Sequence, residues 1–319
     1  MDAVSIASQD LVFQTWTPQD TSAPRDRWQA SVEHRLALMS REAHHVEFDN
    51  TSRFVFLSDC HRGNGGRTDD FAPNEALYLH ALEQYARQGF TYVEVGDGDE
   101  LWQNRSFASV HRAHERTFDL LNRLDRTGQL YLLLGNHDIQ HRDTQSMTKD
   151  TIPVRECLHL SHAKSGQSIL VFHGHQMDPQ NDRFASVSRF TVRNIWRTML
   201  LLGLAKSIAW SDDLSQRHRL ERLIMDRVWI AKTRIEQRML GWAHKKEQMI
   251  ICGHTHRPVI AQVGAIPYFN TGSCVEPGQI TGLEIENGAI SQIRWTIRLG
   301  SARRERLGRP RELARFASF

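Results

Sequence analysis

The chain has 319 residues, of which 40% are hydrophobic and 24% charged, and its formal net charge is +3. That composition fits a globular protein with a real core and excludes a collagen-like, coiled-coil or wholly disordered chain. The length admits one large domain or two ordinary ones, and so small a net charge singles out no class of partner. The first residues, Met1 to Ser5, lack the basic and then apolar pattern of a secretory signal. The apolar run Met199 to Ala205 lies between Arg197 and Lys206, far short of the about 20 residues a membrane span needs. Cytoplasmic residence is expected, with peripheral contact at the inner membrane face as a further expectation. Cys60, Cys157, Cys252 and Cys274 have no C-x-x-C spacing and read as free thiols of a reducing compartment.

In chain order, residues 1–50 read as an accessory segment. Pro18 and Pro24 break its first half, and Trp28, Val32, Leu36 and Met39 then recur at helical spacing. Residues 51–300 form the main domain. Short apolar runs at Phe54–Leu57, Thr91–Val95, Leu130–Leu134, Ile169–Phe172 and Met249–Cys252 read as buried strands. Helical periods at Asn74–Gln88 and Phe107–Arg126 alternate with them, which predicts a layered α/β core. Pro267–Asn270, Thr281–Glu286 and Ile290–Ile297 read as strands without intervening helices, so a second, partly antiparallel sheet is expected. Residues 181–248 contain no proline and carry the stripe Leu220, Ile224, Val228, Ala231, Ile235 and Met239, the mark of a helical insertion. Its apolar patch around Trp196 and Leu200 predicts a small core of its own, a lid or groove for an apolar substrate tail, or a membrane-surface contact. Residues 301–319 are Arg-rich and read as a solvated tail or as a patch for anionic headgroups or RNA.

Each of the five strand-like runs ends in potential metal ligands. These are Asp59 and His61; Asp97, Asp99 and Glu100; Asn136, His137 and Asp138; His173 and His175; and His254 and His256. Ligands gather at the carboxyl ends of strands in α/β sheets, so five such ends can surround one point. Residues i and i+2 of an extended chain point the same way, which offers two ligands per strand end. Glycines before Asp97, Asn136 and His254 leave room for a metal and a phosphate. Each motif alone is a turn or a surface pair. Together, after five apolar runs, they have no packing explanation, because a core does not bury such groups unless something satisfies them. Cys60 is expected to point away from its neighbours. His44, His45, His111 and His114 are read as surface or helix residues without a role.

The ordered set resembles the calcineurin-like metallophosphoesterase family, whose motifs are D-x-H, G-D-x-x-D/E, G-N-H-D/E, an isolated His and G-H-x-H. The resemblance implies two mixed β-sheets in a sandwich flanked by helices, with a metal pair at the sheet edge. It implies Asp59, His61 and His256 as ligands of one metal and Asn136, His173 and His254 as ligands of the other, with Asp97 bridging. Two cations so placed stabilise the attacking and leaving oxygens of an in-line displacement and supply a bridging hydroxide. His137 is then the group that steadies the phosphoryl oxygens and protonates the leaving oxygen, with Glu100 holding its tautomer. His175 is expected to touch substrate or support the second metal's shell. Mn²⁺ is the expected metal by family analogy, and Fe and Zn²⁺ suit the same donors.

A finer resemblance is to bacterial UDP-2,3-diacylglucosamine pyrophosphatases. It rests on Gly96 to Trp102, on Gly253 to Pro258 followed by Tyr268 to Ser273, and on the placing of the helical insertion. It implies a pyrophosphatase acting on a phosphorylated small-molecule or lipid-linked diphosphate, with no specific nucleic-acid partner. This chain has His137 where those enzymes commonly carry Arg, and His175 where they usually carry Asp. The alternatives are a general phosphomonoesterase or phosphodiesterase and, more remotely, a non-catalytic interaction protein on the same fold.

Overall fold

The strand Phe54–Leu57 is buried at all four positions, and its two faces meet different neighbours. Phe54 and Phe56 pack with Val93, Val95, Leu133, Ile169, Val171 and Ile251, which come from both sheets of the molecule. Val55 and Leu57 pack instead against helical residues such as Leu82, Tyr85, Phe118 and Leu121. This is why the runs are continuously apolar. A half-buried strand needs alternation, whereas a strand covered on both faces does not. Each such side chain contributes about 1.5–3 kcal/mol when fully buried.

The computed structural model describes residues 27–104, 106–143, 147–178, 232–263 and 266–313. The elements are α1 (Arg27–Arg41), β1 (His44–Phe48), β2 (Phe54–Leu57), α2 (Glu75–Arg87), β3 (Thr91–Val95), α3 (Phe107–Ala113), α4 (Glu115–Arg126), β4 (Leu130–Leu133), β5 (Thr148–Lys149), β6 (Ile152–Arg155), β7 (Leu158–His162) and β8 (Ser168–Val171). They continue with α5 (232–246), β9 (Met249–Cys252), β10 (Pro258–Val263), β11 (Ile266–Thr271), β12 (Gln279–Glu286), β13 (Ala289–Arg298) and β14 (Ser301–Glu312). One sheet has the order β1-β7-β8-β9-β11-β10, the other β14-β13-β12-β2-β3-β4-β6-β5. Helices α2 and α4 cover the outer face of the larger sheet. On the smaller sheet, α1 (Val32, Leu36, Met39) and α5 (Met239, Leu240, Trp242) cover Leu170, Phe172, Ile250 and Cys252. The result is a four-layer sandwich, the expected α/β class with two mixed sheets.

Three expectations change. The main sandwich takes in residues before 51, because β1 pairs in parallel with β7 from His44↔Leu158 to Phe48↔His162. Its half-polar sequence hid it, since an edge strand buries only part of its surface. The Arg-rich segment is not a solvated tail as far as Glu312. It is β14, antiparallel to β13 from Arg298↔Ser301 to Ala289↔Glu312. Its charges are balanced across the sheet: Arg304 lies 3.0 Å from Glu284, and Arg306 lies 3.0 Å from Glu286. Charged side chains on an edge also discourage pairing with another sheet. Finally, Phe107–Arg126 is two helices, broken at His114 (φ −121°, ψ 36°). His114 is buried rather than on the surface, with Nε2 2.9 Å from Asp69 and Nδ1 3.1 Å from Glu75.

Of the insertion, α5 is described, and Ile235 and Met239 of the predicted stripe are buried in it. The rest of the stripe and the patch around Trp196 and Leu200 lie outside the described residues. Among the described residues no helix is long and apolar enough to cross a membrane.

Candidate metal centre

Parallel neighbours β2, β3 and β4 end side by side in one sheet, as do β8 and β9 in the other. The loops after β2 and β3 remain zipped beyond the strands. Asp59 N–H donates to Gly96 O at 3.1 Å, His61 N–H to Asp97 O at 2.9 Å, and Arg62 N–H to Gly98 O at 3.0 Å. The expectation that Asp59/His61 and His254/His256 align as i and i+2 of an extended chain is not met. Asp59, His61, Asp97, His254 and His256 all adopt positive φ, between 49° and 69°. This left-handed region is unfavourable for residues with a Cβ and concentrates at functional sites. It swings each side chain out of the sheet toward the gap between the loops. Cys60, between two of these turns, points into the helix-side core, as expected.

Two glycines are demanded by space. A Cβ on Gly135 would lie 2.0 Å from Asp97 Oδ1, and one on Gly96, at φ +79°, would lie 2.6 Å from His173 Nδ1.

Asp59 directs its two oxygens differently. Oδ2 accepts from Ser58 Oγ and from the His254 backbone N–H, the latter at 3.0 Å. Oδ1 lies 3.1 Å from His256 Nε2 and 3.8 Å from His61 Nε2. Asp97 divides in the same way. Oδ1 accepts from His137 N–H at 2.8 Å, while Oδ2 lies 3.1 Å from His173 Nε2 and 3.8 Å from His61 Nε2. Asp97 Oδ2 therefore stands between the two groups of histidines. Three sets converge, each with its donor atoms within 4.8 Å of one another: Asp59, His61 and His256; Asp97, His173 and His254; and His61, Asp97 and His137. Asn136 is buried in the loop pinned to Asp97, and its backbone O accepts from Trp102 Nε1 at 2.7 Å.

Backbone and carboxylate partners fix the tautomers. His173 Nδ1 bonds to Val95 O at 2.8 Å, which leaves Nε2 facing the cluster. Glu100 Oε2 takes two imidazoles at once, His137 Nδ1 at 2.7 Å and His61 Nδ1 at 3.2 Å. Glu100 Oε1 accepts from the backbone N–H groups of Trp102 and Gln103, each at 3.0 Å. Trp102 also stacks on the His137 ring, with centroids 4.1 Å apart and planes 17° apart. The Trp of the finer resemblance thus packs against His137, and Glu100 supports His61 as well as His137.

The electrostatics are those of a cation site. Burial disfavours ionising Asp97, but His173, His137 and His61 around it hold its pKa well below the usual carboxylate range. Burial likewise works against a charge on His61 and His173, yet the carboxylates around them raise their pKa values to about 10 and about 9. His175, its centroid 5.6 Å from that of His173, is pushed well down by burial and then by the charges of His173 and His254, so it is neutral. Asp59 Oδ1, Asn136 Oδ1 and His173 Nε2 are buried without a hydrogen bond. Buried polar atoms of this kind require a partner, and a shared cation is the partner that suits convergent lone pairs. The carboxylate, imidazole and amide donors fit a divalent metal.

Two features had no sequence signal. Asp178 Oδ2 lies 3.2 Å from His254 Nε2, although no motif spacing marks it. Beneath the loops lies a buried ionic network. Arg62 pairs with both oxygens of Glu94 at 2.7 Å and with Asp99 at 2.8 Å. Lys149 lies 3.1 Å from Glu94, 3.0 Å from Asp99 and 3.4 Å from Asp138. Arg62, Asp99 and Asp138 belong to the loops after β2, β3 and β4, so the network fixes those loops to one another. Lys149 could not be picked out because its place depends on β5, a two-residue strand.

A two-sheet sandwich with such a cluster at its strand ends defines a metallophosphoesterase. The chain belongs to the calcineurin-like phosphoesterase family, whose model matches residues 52–258. No curated protein matches it. Its fold is similar to that of a conserved protein of Streptococcus pneumoniae described as a predicted phosphoesterase (14% identity, 80% of this chain and 97% of that one, TM-score 0.35). It is also similar to Vps29 of Entamoeba histolytica complexed with Zn²⁺ (16%, 80% and 97%, 0.40) and to a cold-active protein-tyrosine phosphatase of a Shewanella species (13%, 93% and 90%, 0.35). At this similarity they carry no argument about activity.

Proposed function

We propose that the chain is a hydrolase of phosphoester or phosphoanhydride bonds in which His137 protonates the leaving oxygen. Asp59, His61 and His256 would hold one divalent cation and Asn136, His173 and His254 a second, with Asp97 serving both. When bound, such a pair supplies Lewis acidity toward phosphoryl oxygens and makes water a nucleophile near neutral pH. The observation that carries the reading is the His137–Glu100 contact at 2.7 Å. With Nδ1 occupied by Glu100, Nε2 is the nitrogen left to carry a proton to substrate. The ring is 18% exposed, enough to be reached from solvent. Positioned proton transfer of this kind contributes roughly 10²–10⁴-fold.

Within that class, a pyrophosphatase acting on a UDP-sugar-lipid or similar diphosphate is supported by the segments Gly96–Trp102 and Tyr268–Ser273. His137 favours a second reading, a phosphomonoesterase or phosphodiesterase, because poor leaving groups gain most from an acid. A panel of monoesters, diesters and diphosphates with Mn²⁺, Fe²⁺ or Zn²⁺, its products resolved by chromatography, separates them. Turnover confined to nucleotide-linked diphosphates selects the first reading and turnover of alkyl monoesters the second. A folded, metal-loaded protein inert to all of them defeats the proposal.

A further inference from the structure

The chain after β8 returns to the cluster a second time. Past His173, Gly174 takes a φ of +109°, and a short 3₁₀ turn follows over His175–Met177. Asp178 N–H closes the turn on His175 O at 3.0 Å. Met177 anchors it, buried among core residues of α1 and α5. His173 and Asp178, five positions apart, therefore both reach His254. The His173 and His254 rings have centroids 5.2 Å apart and planes 72° apart. Asp178 Oδ2 meets His254 Nε2 at 3.2 Å, and the two side chains are only 15% and 10% exposed.

The backbone around His254 is held by other groups. His254 N–H donates to Asp59 Oδ2 at 3.0 Å, and Gly253 N–H to His173 O at 3.0 Å. Thr255 Oγ1 donates to Glu236 of α5 at 2.9 Å, and Arg257 Nη1 lies 3.0 Å from the same carboxylate. These bonds place the loop, whereas the ring of His254 is set by what its nitrogens meet. An imidazole that binds a metal usually donates its other N–H to a carboxylate or carbonyl. That partner fixes the tautomer and makes the binding nitrogen more basic. In this cluster His61 Nδ1 has Glu100 and His173 Nδ1 has Val95 O. Asp178 stands in the same relation to His254.

We propose that Asp178 is a positioning residue of the metal centre. It accepts a hydrogen bond from His254 Nε2, leaves Nδ1 as the nitrogen for the cation, and so sets the affinity of the site that Asn136, His173 and His254 would form. Each half of the centre then has its own carboxylate–imidazole pair, Glu100 with His61 and Asp178 with His254. This rests on the two-cation reading above. The full chain, stripped of metal with a chelator, is titrated with Mn²⁺ by calorimetry and followed by electron paramagnetic resonance, comparing wild type with Asp178→Ala and Asp178→Asn. Wild type should take up two Mn²⁺ and show the spectrum of a coupled pair. Asp178→Ala should weaken one of the two sites by about 10–100-fold and leave the other unchanged, so that limiting Mn²⁺ gives the spectrum of isolated ions. Asp178→Asn still accepts the hydrogen bond without the charge and should lose less. Two unchanged affinities in Asp178→Ala overturn this assignment alone. So does an equal loss at both sites, which would make Asp178 a support of the whole loop instead of one ring. A wild type that binds fewer than two Mn²⁺ overturns the two-cation reading as well.

Discussion

Glu100 Oε2 lies 2.7 Å from His137 Nδ1, at the base of a ring that Trp102 covers on one face. The carboxylate therefore sets both the tautomer and the plane of the imidazole. Glu100→Gln keeps the shape and removes the charge, and should lower kcat by about 10–100-fold, the usual cost of losing such support. His137→Ala should lower it by about 10²–10⁴-fold, most on esters with poor leaving groups. Initial rates on aryl and alkyl phosphates check both. Equal losses on the two ester types would remove His137 from the role of acid.

Asp97 Oδ2 stands between His61 and His173, so it serves both halves of the cluster. Asp97→Asn should abolish turnover and lower the metal content of the purified protein from near two per chain. Elemental analysis reads this directly, with circular dichroism confirming the fold. Two metals retained in the variant would show that Asp97 is not shared.

Lys149 is fully buried against Glu94, Asp99 and Asp138. Lys149→Met leaves those carboxylates with too few cations and should destabilise the protein by about 3–5 kcal/mol, the cost of breaking a buried pair from one side. Urea denaturation of both proteins at one pH measures it. Unchanged stability would mean that the Lys149 ammonium is not what balances these buried carboxylates.

His114 yields a pH dependence. Burial opposes its charge, but Asp69 and Glu75 raise its pKa to about 9 from an unfolded value of 6.5. A histidine raised on folding stabilises fully below the unfolded pKa. Its contribution is therefore complete below about 6.5 and is lost as pH climbs toward about 9. Denaturation midpoints measured from pH 6 to 9.5 should fall in that window for the wild type and fall less steeply in His114→Gln, where the raised His61 and His173 still titrate. Parallel curves would show that the Asp69–His114–Glu75 contact does not depend on the imidazolium.

Much of this was legible along the chain, for a local reason. A strand covered on both faces must be apolar for its whole length, so Phe54–Leu57, Thr91–Val95 and Met249–Cys252 announce themselves, as do the polar clusters that follow them. Strands β1 and β14 were hidden because edge strands carry polar and charged side chains whose partners lie on other strands. The positive φ values of Asp59, His61 and His254 were equally invisible, since they come from cross-loop hydrogen bonds rather than from residue type.

The sequence alone determined the donor types, their order and the apolar runs that deliver them, because each is a property of neighbouring residues. Only the tertiary structure decided that Asp178 meets His254, that Glu100 serves two imidazoles, that Lys149 anchors three acidic side chains and that Glu236 of α5 holds the loop of His254 and His256. Those pairings join residues far apart in the chain. The packing of two sheets and their helices sets such distances, and no local pattern encodes them.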